Sequence, residues 1–233
     1  MVKTIRSLVF AVIAVSFSAS LFAEKVTEGF EDKTVLKKWE IEGDAVISED
    51  QFHGGKTSLK VPAGASAVYR FSKENAFGTV SFWMYDSCVN VSQTSMKTVW
   101  NGPHFGLINS DDDKALLRIM WRAKNAPPSG FCTTFTAENQ MFTFGWASIT
   151  RKTAGWGKWS FTFTDAKTLS AAFNDDKEVK SFSDKIEFFN KGANGIVFNG
   201  GQDIKAKNET FYYDDIEIEL AAPPAAPAKE KAK

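Results

Sequence analysis

The stretch that decides the fold is FYYDDIEIEL, Phe211–Leu220, close to the end of the chain. Every second residue from Tyr212 onward is apolar except Asp214, and the positions between them include three carboxylates. Side chains alternate between the two faces of a strand, so this pattern predicts a strand whose apolar face lies on a core. Asp214 is then directed towards that core, where a carboxylate without a partner is very costly. The sequence therefore predicts a strand with a buried carboxylate that some partner must satisfy.

The rest of the chain has the same strand-like character. Short runs of β-branched and aromatic residues are separated by clusters of Gly, Asn, Asp and Pro, and helical periodicity is nearly absent. The 21 phenylalanines are suited to the wide space between two packed sheets. These features predict an all-β protein, a two-sheet antiparallel β-sandwich formed by one domain from residue 24 to residue 220.

The two ends of the chain differ from this domain. Residues 1–23 contain two basic residues, then an apolar run, then small residues, which is typical of a secretory signal peptide. The apolar run is too short to favour a transmembrane anchor. Residues 221–233 are rich in Pro, Ala and Lys, which predicts an extended or disordered tail. We therefore expect an exported protein, secreted, periplasmic or at the cell surface, with no transmembrane span once the signal peptide is removed.

The charge of the domain argues against nucleic acid as a partner. The chain has 28 basic and 28 acidic residues, but its two ends hold five of the basic residues and one of the acidic ones, which leaves 23 and 27. A domain with a small negative charge and no stripe of Lys or Arg lacks the basic face of a nucleic-acid-binding protein.

Two cysteines, Cys88 and Cys132, are the only ones in the chain. In an exported protein they can form one disulfide, and two buried free thiols are the alternative. Neither lies in a CxxC motif, so a metal or catalytic role is not indicated.

Three segments, in this order, resemble the jelly-roll carbohydrate-binding modules and the concanavalin A-like, laminin-G-like sandwiches of exported bacterial proteins. They are EGFED (Glu28–Asp32), SEDQFHGGKTSLKV (Ser48–Val61) and YYDDIEIE (Tyr212–Glu219). The hairpin-like segment Gly157–Val179 is similar to one in these proteins as well. The resemblance implies a jelly-roll β-sandwich of concanavalin A-like or galactose-binding-like type, and a carbohydrate-binding function.

The resemblance also implies a structural calcium ion. In such modules the first strand, the last strand and the glycine-containing loop meet around Ca²⁺, a cation that takes six to eight oxygen ligands, including backbone carbonyls. On this chain the ligands would be two carbonyls and two carboxylates, those of Gly29, Lys56, Glu31 and Asp214, with the carbonyl of His53 as a further possibility. Strand alternation from Phe30 sends Glu31 outward, so the chain must bend there. Without calcium, Asp214 would accept backbone N–H bonds or pair with Lys56 or Arg70.

The motifs that enzymes of this fold class require are absent from the sequence. There is no Glu-x-Asp-x-x-Glu strand, as in glucanases, and no Arg–Glu strand with a Gln-x-His, as in alginate lyases. Glycoside hydrolysis needs two carboxylates that flank one bond. Glu217 and Glu219 share a strand face, but their pattern is typical of a solvated surface. A polysaccharide hydrolase or lyase is therefore only a third hypothesis.

Aromatic residues in turn-rich stretches are the candidate binding residues, because a flat ring can stack on a sugar while its neighbours hydrogen-bond the hydroxyls. Trp39, Trp83 and Trp159 lie in strand-like runs and are expected in the core. Trp156, between two glycines, is the strongest loop candidate. The full candidate set is Trp100, His104, Trp121, Arg122, Trp146 and Trp156. We expect a non-catalytic, lectin-like module that binds a polysaccharide through these residues. The alternative is a structural or adhesion-type envelope protein without a glycan ligand.

Overall fold

The computed structural model describes residues 24–86, 104–109, 117–120, 132–137, 140–146, 155–163, 168–174, 177–183, 192–200 and 210–221. Within them lie one 3₁₀ helix, Lys33–Lys38, and a series of short strands. The strands are β1 (Glu24–Glu28), β2 (Trp39–Glu42), β3 (Val46–Ser48), β4 (Ser58–Pro62), β5 (Ser66–Arg70), β6 (Gly78–Asp86), β7 (His104–Ile108), β8 (Leu117–Met120), β9 (Cys132–Ala137), β10 (Gln140–Trp146), β11 (Gly155–Phe163), β12 (Thr168–Phe173), β13 (Lys177–Ser183), β14 (Gly195–Asn199) and β15 (Thr210–Leu220).

These strands form two sheets, in which all the described pairs are antiparallel. The first sheet has the order β13-β12-β11-β6-β15-β4-β3, and β1 pairs with β15 beside β4. The second sheet has the order β10-β9-β8-β7-β14-β5-β2. This arrangement confirms the predicted all-β, two-sheet antiparallel sandwich.

The core lies between the sheets and is largely aromatic. Alternate residues of the strands enter it, as Phe82 does from β6, Trp159 from β11 and Phe198 from β14, and each of these three is fully buried. The rings of Phe82 and Phe198 are 5.0 Å apart, and that of Tyr213 stacks on Phe198 at 3.9 Å. Trp39 and Trp159 are core residues, as predicted.

The strand β15 contains a bulge that the alternation of its sequence does not reveal. Its register against β6 shifts between Asp214 and Glu217, and Asp215 has a left-handed φ of 46°. An extra residue in one strand of a pair reverses the face on which the following side chains lie. Phe211 and Tyr213 therefore enter the core before the bulge, and Ile216, Ile218 and Leu220 enter it afterwards.

The prediction that Asp214 faces the core is wrong because of this bulge. Asp214 lies opposite Trp83, and the next pair along, Tyr213 and Met84, points into the core. Neighbouring residues of a strand point to opposite faces, so Asp214 belongs to the outer face of the first sheet. It is nevertheless completely buried, as its sequence context predicted.

Several predictions fall outside the described residues. These are the signal peptide (1–23), most of the tail (222–233) and Cys88. Cys132 begins β9, where it pairs with Trp146, so the disulfide stays a prediction. In the described part of the chain, no helix is long and apolar enough to cross a membrane.

Candidate functional site

The loop between β3 and β4, residues 49–57, covers Asp214. One carboxylate oxygen of Asp214, Oδ2, accepts hydrogen bonds from the backbone N–H groups of His53 at 2.8 Å and Gly54 at 3.1 Å. The other, Oδ1, accepts one from the N–H of Asp215 at 2.8 Å. The partner of this buried carboxylate is therefore a set of backbone amides. We call residues 49–57 the covering loop.

The surroundings of Asp214 disfavour its charge. Burial raises the pKa of its carboxyl group to about 6, and the nearby Asp215 carboxylate acts in the same direction. The three N–H bonds oppose this rise, because they stabilise the charged form. The carboxylate that binds the covering loop is thus also a group that takes up a proton in mild acid.

A second carboxylate, that of Glu31, binds the other end of the covering loop. The bend expected here is present, since Phe30 has a φ of 58°. Glu31 Oε1 accepts bonds from Lys56 N at 2.8 Å, Thr57 N at 3.0 Å and Thr57 Oγ1 at 3.2 Å. The hydrogen bonds from the backbone N–H groups of Lys56 and Thr57 hold the pKa of the Glu31 carboxyl below its usual range. The bend and the bulge thus direct two carboxylates onto one loop.

This geometry bears on the calcium prediction. A Ca²⁺ site presents a shell of oxygen atoms to the ion, with carboxylates directed at the cation and not at N–H groups. Here the carboxylates of Glu31 and Asp214 point at backbone N–H groups of the covering loop. No group of three metal-binding side chains occurs among the described residues. The described arrangement favours the alternative in which amides satisfy Asp214, and calcium stays a prediction. Arg70, one of the two suggested charged partners, pairs with Glu40 and Asn194.

His53 connects the covering loop to the sheet beneath it. Its ring nitrogen Nδ1 lies 2.6 Å from Asp215 Oδ2. Its imidazole stacks on the indole of Trp83, with the ring centroids 3.8 Å apart and 13° between the planes. The ring of Trp156 meets it edge-on at 5.7 Å. The carboxylate that contacts Nδ1 belongs to Asp215, the residue with a left-handed φ at the bulge of β15.

A row of aromatic rings crosses the first sheet beside His53. Tyr212 lies opposite Tyr85, and Tyr85 lies opposite Trp156, so the row follows the register of β15, β6 and β11. The ring centroids are 6.0 Å apart for the first pair and 5.6 Å for the second, both edge-on. Trp83, Tyr85 and Trp156 are partly exposed, whereas Tyr212 is nearly buried. We call these four residues and His53 the aromatic face.

Polar groups border the aromatic face at the end formed by Tyr212. Lys60 pairs with Asp50 at 2.5 Å, and its Nζ lies over the Tyr212 ring at 5.8 Å. The Tyr212 hydroxyl also donates to Asp50, at 3.4 Å. The outer surface of the first sheet therefore combines ring faces and edges with hydrogen-bonding groups.

Of the six predicted binding residues, Trp156 is the one whose described side chain lies on this face. Trp100, Trp121 and Arg122 lie outside the described residues. His104 begins β7 and Trp146 ends β10, both in the second sheet, and only their backbone positions are described. The expectation that Trp156 occupies a loop is wrong, because Trp156 lies in β11 and pairs with Tyr85 of β6. Its neighbour Gly157 takes a core-facing position opposite Met84, so this glycine belongs to the strand.

Sequence reasoning missed four members of the aromatic face. Trp83 was expected in the core, Tyr212 shared the apolar parity of β15, and His53 was not among the candidate binding residues. The sequence did hold one signal: the run TVSFWMY, Thr79–Tyr85, has large apolar residues at both parities near its end. Such a strand has apolar or aromatic groups on both of its faces.

Comparison with known proteins supports the fold. No protein-family model matches the sequence, and no curated protein is similar to it in sequence. Among solved structures, the chain is similar to a cellulose-induced protein, Cip1, with a TM-score of 0.58, 14% identity, and coverage of 87% of this chain and all of that one. It is similar to lectin II from Ulex europaeus, with a TM-score of 0.56, 12% identity, and coverage of 85% and 98%.

A third similar structure is a carbohydrate esterase from the Shiga toxin-encoding bacteriophage phi24B, with a TM-score of 0.54, 12% identity, and coverage of 85% and 99%. At these identities the similarity concerns the fold alone. The chain therefore has a β-sandwich of a type that carbohydrate-binding proteins also use.

Proposed function

We propose that this protein is an exported, non-catalytic carbohydrate-binding module whose ligand, a polysaccharide, lies on the aromatic face. The observation that carries the proposal is the presence of partly exposed Trp83, Tyr85 and Trp156 on the outer surface of one sheet. Large rings of a sandwich normally enter its core. Rings outside the core, placed in register on neighbouring strands, need another explanation, and ligand binding supplies one.

The chemistry of the aromatic face suits a sugar. The C–H groups of a pyranose ring pack on the flat, electron-rich face of an indole, and its hydroxyl groups need donors and acceptors at the rim. Trp156 and Tyr85 supply rings, and His53, Asp50 and Lys60 supply polar atoms beside them. The lectin fold of a similar structure supports the proposal at the level of architecture only.

The experiment is affinity electrophoresis of the mature domain through gels that contain one polysaccharide each, from plant, algal and bacterial sources. We expect at least one polysaccharide to retard the wild type. Trp156→Ala should abolish the retardation, because it removes a ring, whereas Trp156→Phe should keep much of it. Both variants should melt within a few degrees of the wild type, which separates loss of binding from loss of fold.

A different result would favour the second candidate. If no polysaccharide retards the wild type, the proposal is wrong, and a structural or adhesion-type role in the cell envelope becomes the better interpretation. The exposed Phe52 on the covering loop and Val46 on the edge strand β3 would then be the first apolar contacts to test.

A further inference from the structure

His53 is fixed in place from three directions. Its backbone N–H donates to the buried Asp214, its ring stacks on Trp83, and its Nδ1 contacts Asp215. An imidazole held by a stacking surface and a hydrogen bond keeps one rotamer. Its remaining nitrogen, Nε2, therefore has a defined position on the aromatic face.

The contact with Asp215 also selects the tautomer of His53. An ionised carboxylate only accepts hydrogen bonds, so Nδ1 carries the hydrogen that lies between the two groups. In the neutral ring, Nε2 is then an acceptor. The His53 side chain is 31% exposed, and among the residues that the structure describes Nε2 has no hydrogen-bond partner. The face thus holds an oriented acceptor beside the ring of Trp156.

We propose that His53 Nε2 accepts a hydrogen bond from a hydroxyl group of a neutral sugar that packs beside Trp156. Asp215 is a positioning residue, because it acts on the ligand only through the orientation and tautomer of His53. This inference rests on the proposed function and adds the polar contact that would distinguish one neutral sugar from another.

The charges around the aromatic face argue for a neutral ligand. Lys60 is paired with Asp50, and the Asp215 carboxylate lies against His53. These two contacts give the face no positive excess with which to attract a uronic acid or a sulfated sugar.

The position of Asp215 is built into the backbone. Its φ of 46° belongs to the bulge of β15, a conformation that Asp and Asn tolerate better than most residues. Gly54 of the covering loop leaves room for it, because a Cβ on that glycine would lie 2.8 and 2.9 Å from the two carboxylate oxygens of Asp215. Two features of the fold thus hold Asp215 against His53.

The first test compares two substitutions of His53 in the same polysaccharide gels. His53→Asn keeps an amide near the position of Nδ1, where Asp215 can bind it, but leaves nothing at the position of Nε2. His53→Gln carries its amide to the position of Nε2. Both lose the ring that stacks on Trp83. We expect His53→Asn to weaken binding of the neutral polysaccharide about tenfold, the effect of one lost hydrogen bond, and His53→Gln to weaken it much less.

The second test compares a conservative substitution of Asp215, which keeps a hydrogen-bond acceptor, with one that removes the acceptor. Asp215→Asn keeps an acceptor for Nδ1–H and tolerates the left-handed backbone, so it should bind close to wild type. Asp215→Ala frees the imidazole and should weaken binding about as much as His53→Asn. A purely structural role predicts instead that affinity follows the melting temperature of each variant and not the presence of an acceptor.

The outcomes separate this inference from the function it rests on. If the wild type binds and Trp156→Ala does not, but His53→Asn binds like the wild type, the role of His53 is wrong and the proposed function stands. Equal losses in His53→Asn and His53→Gln also overturn it. Retardation only by acidic polysaccharides refutes the neutral ligand. If the wild type binds nothing, both proposals fail together.

Discussion

The two halves of β15 place the same kind of side chain in opposite environments. Before the bulge, the strand pairs with β4 and carries Asp214, which is fully buried and bound by three backbone N–H groups. After the bulge, it pairs with β1 and carries Glu217 and Glu219, which are exposed and lie 3.8 and 3.4 Å from Lys25. A single residue with a left-handed φ separates the two halves.

From this comparison we expect that burial decides how much each carboxylate contributes to the free energy of unfolding. Exposed ion pairs contribute roughly 0–1 kcal/mol, because water solvates both ions almost as well. A buried carboxylate is different, because its removal leaves desolvated N–H donors that water reaches poorly. The first half of β15 therefore fixes the covering loop, and the second half presents a solvated edge.

The largest effect is expected from Asp214→Ala. The change leaves the N–H groups of His53, Gly54 and Asp215 without their acceptor, at a cost on the order of 4 kcal/mol in the free energy of unfolding. Urea unfolding of the mature domain measures it, with Glu217→Ala as the matched control in the other half of the strand. A loss below about 1 kcal/mol would show that water replaces the carboxylate and that the two halves do not differ.

Part of this contrast could be read from the sequence. The alternation of FYYDDIEIEL predicted a strand, a solvated acidic edge and a carboxylate that needed a partner, and all three are present. These features depend on local pattern, because a strand with one buried face shows a clear alternation of apolar and polar residues in its sequence. The bend at Phe30 was expected for a different reason, because the resemblance required an inward Glu31 that the strand alternation from Phe30 would send outward.

The features of the site that the sequence did not predict depend on one backbone conformation, that of Asp215. The bulge at Asp215 reverses the face of Asp214 and brings Asp215 to His53, and alternation cannot be used across it. The pair Asp214–Asp215 was the available signal, because Asp is depleted from strands and tolerates a left-handed φ. Trp83 was assigned to the core for a similar reason: the sequence does not say which of two apolar parities faces inward.

The pH dependence of stability sharpens the comparison. Because the pKa of Asp214 rises from an ordinary 3.8 to about 6, the folded state binds a proton more tightly than the unfolded state does. Stability from this group is therefore greatest below pH 4 and falls as the pH rises from about 4 to 6, by up to about 3 kcal/mol. Urea unfolding at pH 4 to 7 measures it, and Asp214→Asn should remove this component.

Glu31 affects the pH dependence of stability in the opposite direction to Asp214 and in a lower pH range. Its pKa is lowered by hydrogen bonds from the backbone amides of Lys56 and Thr57, so its contribution to the free energy of unfolding is present above about pH 4.5 and disappears as the pH falls further.

The same urea unfolding series, repeated with Ca²⁺ and with a chelator, tests the calcium prediction. A bound Ca²⁺ would keep Asp214 ionised, raise stability above pH 6, and abolish the decline between pH 4 and 6. Identical curves in both solutions would show that calcium does not bind.

A smaller loss is expected from Gly55→Ala. Gly55 has a φ of 60°, and a Cβ there would overlap the Glu31 carboxylate. The substitution strains the backbone and displaces the carboxylate from Lys56 and Thr57, and we expect a loss of about 1–2 kcal/mol. Gly64→Ala is the control, because its φ is 84° but a Cβ would meet nothing within 4 Å. Equal losses in the two variants would mean that backbone strain alone matters and that the bond to Glu31 contributes little.

The smallest effect should come from Lys25→Ala. The change removes both ion pairs of the second half of β15, yet each side chain in them is about half exposed. The backbone ladder between β1 and β15 and the core contacts of Ile216 and Ile218 remain. We expect a change within about 0.5 kcal/mol, which high salt should reduce further by screening. A loss above about 1 kcal/mol that salt removes would mean that exposed charges hold β1 in place, and burial would then not explain the difference between the two halves.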